Sequence, residues 1–175
     1  MNGKYSLPVV KAVDMIWTSF DREEIRRGYA MLMQAAQQGD EHIYTAALVT
    51  DSNCVTLFLA VNTTEYLEEN DGTDSDEKWL PDEWGYSDSA DGELTKLSAL
   101  LWQNYENLPG VDFFINEVIS AMKQLKESGA FGSQSHDVTC FVSMSDDDQA
   151  VSIEDYSARR LNSPELAAAF LRRDR

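Results

Sequence analysis

Two neighbouring apolar runs, residues 43–50 and 54–62, constrain the fold of this chain more than any other feature. The short polar segment formed by Asp51, Ser52 and Asn53 separates them, so they predict an antiparallel hairpin. In the second run both alternating faces are largely apolar, with Val55, Leu57, Leu59 and Val61 on one and Cys54, Thr56, Phe58 and Ala60 on the other. A strand with two apolar faces is covered on both sides, so we expect this hairpin at the centre of a sheet.

Helical periodicity predicts the cover for that sheet. Apolar residues at three- and four-residue steps indicate helices over residues 9–20, over residues 22–38 and twice between residues 94 and 129. Thr63 or Thr64 is a cap for a short helical turn, and Ser163 precedes Pro164 as the cap of a last helix. Alternation over residues 138–144 predicts a further strand. The chain is therefore predicted to be a single α+β domain over residues 1–175, with a small antiparallel sheet covered by several helices.

The charge of the chain limits its partners. Its 175 residues contain 31 Asp and Glu against 14 Lys and Arg, which gives a formal net charge of -17. Because affinity for nucleic acid depends on Lys and Arg that neutralise phosphates, a basic protein is the better candidate partner. No apolar run is long enough to cross a membrane and no secretory signal is recognisable, so we expect a cytoplasmic protein with Cys54 and Cys140 reduced.

Residues 65–93 form an acidic stretch with aromatic residues at its centre. Twelve carboxylates accompany a single Lys78 there, together with Trp79, Trp84 and Tyr86. We expect the tryptophans to anchor the stretch to the folded body while the neighbouring acids face solvent. The predicted partner-binding residues are Asp71, Asp74, Asp76, Glu77, Asp82, Glu83 and Tyr86.

Motifs for catalysis, metal binding and cofactor binding do not emerge from the sequence. His42 and His136 lack zinc-ligand spacing, and Cys54 and Cys140 fall in apolar runs unsuited to a nucleophile. An EF-hand loop requires glycine at its sixth position, which is Asp76 when the count starts at Asp71. We therefore predict a non-enzymatic protein with no catalytic residue, no metal ion and no cofactor.

Three segments carry a resemblance to a known family. They are the run Y-T-A-A-L-V-T-D from residue 44, the run A-V-N-T-T-E from residue 60, and W-L-P-D-E-W from residue 79, which has the pattern W-x-P-x-E-W. In these segments the chain resembles the bacterial family catalogued as domain of unknown function 4303. The resemblance implies an α+β domain without an established active site, similar in character to immunity proteins that neutralise toxins. We therefore expect an immunity protein that binds a cognate toxin domain.

A second hypothesis for the function remains open. It is a housekeeping regulatory or enzymatic domain whose ligand pocket lies between the sheet and the helices, with His136, Tyr44 or Glu83 as polar members. The sequence leaves the oligomeric state open.

Overall fold

A four-stranded sheet lies at the centre of the computed structural model, which describes residues 22–38, 41–70, 76–87, 94–108, 110–131, 136–145 and 148–173. Its strands are β1 (Ile43–Asp51), β2 (Leu57–Thr63), β3 (Tyr86–Ser87) and β4 (Thr139–Ser145), in the order β3-β2-β1-β4. Strand β2 is antiparallel to both β1 and β3. The predicted α+β class and the predicted hairpin are thereby confirmed.

Six α-helices accompany the sheet within the described ranges. They are α1 (Arg22–Gln38), α2 (Thr64–Glu69), α3 (Thr95–Gln103), α4 (Val111–Glu127), α5 (Ala150–Leu161) and α6 (Pro164–Phe170). Short 3-10 helices occupy Asp76–Trp79, Pro81–Glu83 and Tyr105–Asn107. The predicted caps Thr63 and Ser163 both accept a hydrogen bond from a backbone N–H of the first helical turn. The helix predicted over residues 9–20 lies outside the described residues.

Strand β4 makes the sheet mixed, where the sequence predicted an antiparallel one. It pairs in parallel with β1, so that Thr45 lies opposite Thr139 and Asp51 opposite Ser145. A parallel neighbour requires a long connection that returns the chain to the starting end of the sheet. Helices α3 and α4 belong to that connection, which explains why β4 runs in the same direction as β1.

Both faces of the sheet are covered, as the apolar character of β2 predicted. On one face Leu59 joins a core with Tyr29 of α1, Leu97 of α3 and Phe114 of α4. On the other face the sheet contributes Ala47, Val49, Ala60 and Phe141, and these pack with Trp84, with Ala158 of α5 and with Phe170 of α6. The layer on this face therefore consists of the C-terminal helices α5 and α6 and the segment that contains Trp84.

Helix α5, which the sequence analysis did not predict, covers the outer edge of β4. The backbone N–H of Val142 donates to Ser157 Oγ at 2.9 Å. The side chain of Asn162 accepts from the N–H of Cys140 at 2.8 Å and donates to its carbonyl at 2.7 Å. These side chains satisfy backbone groups that an edge strand otherwise exposes.

Arg173, after the last helix, fastens the C-terminal segment to α5. Its guanidinium lies 2.8 Å from Glu154 Oε2 and 2.9 Å from Asp155 Oδ1, and its side chain is 6% exposed. The same group lies 3.8 Å from the ring centre of Phe170. The described basic end of the chain thus packs on a neighbouring helix.

Candidate functional site

Residues 79–84, hereafter the clamp, fix the acidic stretch to the sheet. The Trp79 ring packs edge-on against Phe170, with 5.0 Å between ring centres, and Trp84 packs edge-on against Phe141 at 5.7 Å. Pro81 is buried and begins a 3-10 turn, a position where its missing N–H costs no hydrogen bond. The predicted anchoring of both tryptophans is confirmed.

The carboxylates of the clamp face solvent. Asp82 and Glu83 are exposed although they lie between the buried residues Pro81 and Trp84. Leu80, beside them, is 48% exposed. Because the neighbouring residues are anchored to the sheet, Asp82 and Glu83 are presented to solvent on a fixed turn.

Buried Asn62 holds the clamp against the end of β2. Its Oδ1 accepts from the N–H of Thr63 at 3.1 Å and from the N–H of Gly85 at 3.4 Å. Its Nδ2 donates to the Tyr44 hydroxyl at 3.1 Å, and that hydroxyl donates to the carbonyl of Lys78 at 3.0 Å. The Asn62 side chain therefore links β1 and β2 to the two residues that flank the clamp, Lys78 and Gly85.

Glu41 joins β3 to the start of α2. Its carboxylate accepts from the Tyr86 hydroxyl at 2.6 Å and from Thr63 Oγ1 at 2.5 Å. The donation to Glu41 is the main cause that raises the pKa of Tyr86 to about 12, with smaller contributions from burial and from the charges of Glu41, Glu69 and Glu65. Tyr86 is therefore held as a protonated donor to Glu41, with Glu69 and Glu65 close enough to add to the shift of its pKa.

We refer to the three carboxylates around Tyr86 as the acidic surface: Glu41, Glu65 and Glu69. Glu65 also accepts from the backbone N–H of His42 at 2.7 Å. Lys78 is nearby, 5.2 Å from the ring centre of Trp79.

The predicted partner-binding residues have different outcomes. Asp82 and Glu83 are exposed on the clamp, whereas Tyr86 is half-buried and bonded to Glu41 of the acidic surface. Asp76 and Glu77 lie in the 3-10 helix Asp76–Trp79, with no described side-chain placement, whereas Asp71 and Asp74 lie outside the described residues.

Two site residues were missed by the sequence analysis. Glu41 and Asn62 are the acceptors that position Tyr86 and Gly85. Both contacts join residues distant in sequence, so no local pattern predicts them. For Asn62 the sequence offered two signals, its adjacency to the cap Thr63 and its place in the run A-V-N-T-T-E that carries the family resemblance.

A second surface lies at the end of α3. A cavity of about 520 Å³ is lined by Asn53, Trp102, Gln103, Tyr105, Glu106 and Asn107. Trp102 is 70% exposed and Tyr105 is 52% exposed. In the sequence Tyr105 continues the four-residue spacing of Leu97 and Leu101, which predicts one buried helix face, and both leucines are buried. Tyr105 departs from that face because α3 ends at Gln103 and a 3-10 turn follows.

Tyr44, Cys54 and Cys140 are described groups suited to acid–base or nucleophilic chemistry, and each is largely or fully buried. Burial raises the pKa of Tyr44 to about 12, so its phenol is protonated at neutral pH. Burial also raises the pKa of the Cys140 thiol to about 12, and Cys54 is a buried free thiol like Cys140, as predicted. His136 is exposed ahead of β4, and none of the contacts described above joins it to Tyr44 or Glu83.

In the described part of the chain, no group of three or more His, Cys, Asp or Glu residues is arranged to hold a metal ion. None of the helices described above combines the length and apolar character needed to cross a membrane.

Comparison with known proteins gives one match. The model of a protein family described as "Domain of unknown function (DUF4303)" matches residues 23–163. No curated protein and no solved structure matches significantly. The matched range contains both surfaces described above.

Proposed function

The chain belongs to the DUF4303 family of domains of unknown function, and we propose that it is a non-enzymatic protein that binds a basic protein partner. More specifically, we propose an immunity protein that neutralises a bacterial toxin domain by direct binding. The observation that carries the proposal is the display of the exposed Asp82 and Glu83 on a turn whose flanking residues, Pro81 and Trp84, are buried.

The electrostatics of the acidic surface support a basic partner. The carboxylates of Glu41, Glu65 and Glu69 surround Tyr86, and Asp82 and Glu83 are exposed on the clamp a few residues earlier in the chain, whose formal net charge is -17. Like charges held close together repel one another, and a partner rich in Lys and Arg relieves that repulsion. Complementary charge also speeds association, which suits a protein that must reach its target quickly.

The construction of the clamp supports binding of a large partner. The clamp fixes the backbone of Asp82 and Glu83, so little ordering entropy is lost when they make contact. Leu80, 48% exposed between them and Trp79, adds apolar contact area. We further propose that W-x-P-x-E-W is the family signature, because its tryptophans and proline are the residues that anchor the clamp.

The test is binding to the toxin domain encoded beside this gene. Asp82→Lys combined with Glu83→Lys should slow association at least tenfold at low ionic strength and flatten its dependence on salt. The control combines Glu127→Lys with Asp137→Lys, two exposed acids near β4, at the opposite edge of the sheet from β3. The control should leave the association rate within about twofold of wild type.

Growth rescue provides a second readout. Co-expression should protect cells from the toxin, and reversal of Asp74, Asp76 and Glu77 together with Asp82 and Glu83 should abolish protection. The proposal fails if the toxin neither binds nor is neutralised, or if the five reversals leave an authentic complex unchanged.

A further inference from the structure

The end of α3 exposes aromatic residues that a small domain ordinarily buries. Trp102, at 70% exposure, and Tyr105, at 52%, both line the cavity of about 520 Å³. Tryptophan and tyrosine are enriched where proteins bind one another, and large exposed aromatic groups often indicate such places. The exposed rings around this cavity therefore indicate a binding site, whose ligand can be inferred from the chemistry of the lining residues.

The polar groups of the cavity define that chemistry. Its six described lining residues include one carboxylate, that of Glu106, three amide side chains and no basic group. Aromatic faces attract cations through their ring quadrupole, and a carboxylate adds a full opposite charge. A planar guanidinium fits this combination better than an ammonium group, because it stacks on rings and pairs with a carboxylate at two points.

We propose that the cavity formed by Trp102, Tyr105 and Glu106 binds an arginine side chain of a protein partner. That the arginine belongs to a basic protein rests on the function proposed above, whereas guanidinium recognition rests on the cavity alone. A second copy of this chain is a poor occupant, because two molecules of net charge -17 repel one another.

The cavity is separate from the acidic surface. Asn53 belongs to the turn that joins β1 to β2, whereas Glu41 and Thr63 lie at the opposite end of the same hairpin. With about 3.4 Å per residue, the length of β1 places the two regions roughly 25 Å apart. A partner of ordinary size can span that distance, so the arginine site adds a second contact.

The site can be tested on the whole protein with a small probe. N-acetyl-arginine methylamide is titrated while the indole N–H signal of Trp102 is followed by NMR, and N-acetyl-citrulline methylamide serves as the neutral isostere. The arginine probe should shift that signal saturably, and the citrulline probe should bind at least fivefold more weakly. Equal binding of the two probes, or no saturable shift, overturns the proposal.

Variants identify the contributing groups. Glu106→Gln should weaken the arginine probe about fivefold, Trp102→Ala should remove saturable binding, as followed by backbone amide signals, and Trp102→Phe should retain it. Because Trp102 is exposed, these substitutions spare the core. The matched control is Glu68→Gln, an exposed acid of α2, which should leave probe binding unchanged. An effect of Glu68→Gln equal to that of Glu106→Gln would contradict the assigned site.

The two proposals fail in different ways. If the arginine probe binds at Trp102 but no basic toxin domain is bound, the proposed function is wrong and the cavity assignment stands. If the toxin domain binds but the probe does not shift Trp102, the cavity assignment is wrong and the proposed function stands.

Discussion

The side chain of Asn162 pairs with the backbone of Cys140 as a neighbouring strand would. It accepts from the Cys140 N–H at 2.8 Å and donates to the Cys140 carbonyl at 2.7 Å. Lys126 supports this arrangement by donating to Asn162 Oδ1 at 3.0 Å. The outer edge of β4 is thereby closed without a fifth strand.

Asn162→Ala should lower the free energy of unfolding by about 3 kcal/mol, because it leaves the buried N–H and carbonyl of Cys140 without these partners. Urea denaturation measures the change. Asn107→Ala, at an exposed asparagine, should change stability by less than about 0.5 kcal/mol. Equal losses in the two variants would refute the role of Asn162 at the strand edge.

Gly85→Ala should destabilise the protein by about 2 kcal/mol through overpacking. The added methyl group would lie 2.6 Å from Cδ2 and 2.8 Å from Cγ of Tyr66, close to the base of that ring. Gly110→Ala is the control, because nothing lies within 4 Å of its added methyl group. Since Gly110 is the N-cap of α4 and alanine is a poorer cap than glycine, this control should cost no more than about 1 kcal/mol. Thermal unfolding compares the two, and a tolerated Gly85→Ala would show that Tyr66 does not need this close approach.

Arg173→Ala should cost about 3 kcal/mol, since it removes the guanidinium that pairs with the nearly buried carboxylate of Glu154. The neighbouring Arg172 is exposed, so Arg172→Ala should change stability by less than about 0.5 kcal/mol. Urea denaturation of both variants checks the difference. Similar values would mean that the packing of the C-terminal segment does not depend on this ion pair.

Stability should fall at alkaline pH through Tyr86. Its pKa is raised from an ordinary value of 10.0 to about 12, so the folded protein retains a proton that the unfolded chain has lost between those values. The stabilisation is complete below about pH 10 and disappears as the pH rises through about 12. Ultraviolet titration of tyrosinate should show that Glu41→Gln lowers the pKa of Tyr86. An unchanged titration would contradict the assigned cause.

Local signals in the sequence predicted much of the fold. The hairpin follows from two apolar runs and a polar turn, and the starts of α2 and α6 follow from Thr63 and Ser163. Such features depend on residues a few positions apart, so the chain itself displays them.

Features that depend on distant contacts were not predictable in the same way. Helix α5 has small or polar residues where it meets β4, such as Ser157 and Ala158, so its apolar pattern is weak. The parallel pairing of β4 depends on the path of the intervening helices. Similarly, Tyr105 follows the apolar period of α3 but lies beyond its end.

In the candidate site, too, local features were predictable from the sequence and long-range contacts were not. Acidity and anchoring were predictable at Asp82, Glu83 and Trp84, because charge and aromatic content are properties of composition. The link from Glu41 to Tyr86 spans 45 residues, and the proximity of Asn53 to Trp102 depends on the folded hairpin.

The parallel pairing of β1 with β4 also imposes an order on biosynthesis. Thr45 Oγ1 donates to the carbonyl of Thr139, 94 residues later in the chain. A growing chain that has completed the β1–β2 hairpin must therefore leave one side of β1 uncovered until β4 leaves the ribosome. Since non-local pairing slows folding and open strand edges promote aggregation, newly made protein is most vulnerable during that interval.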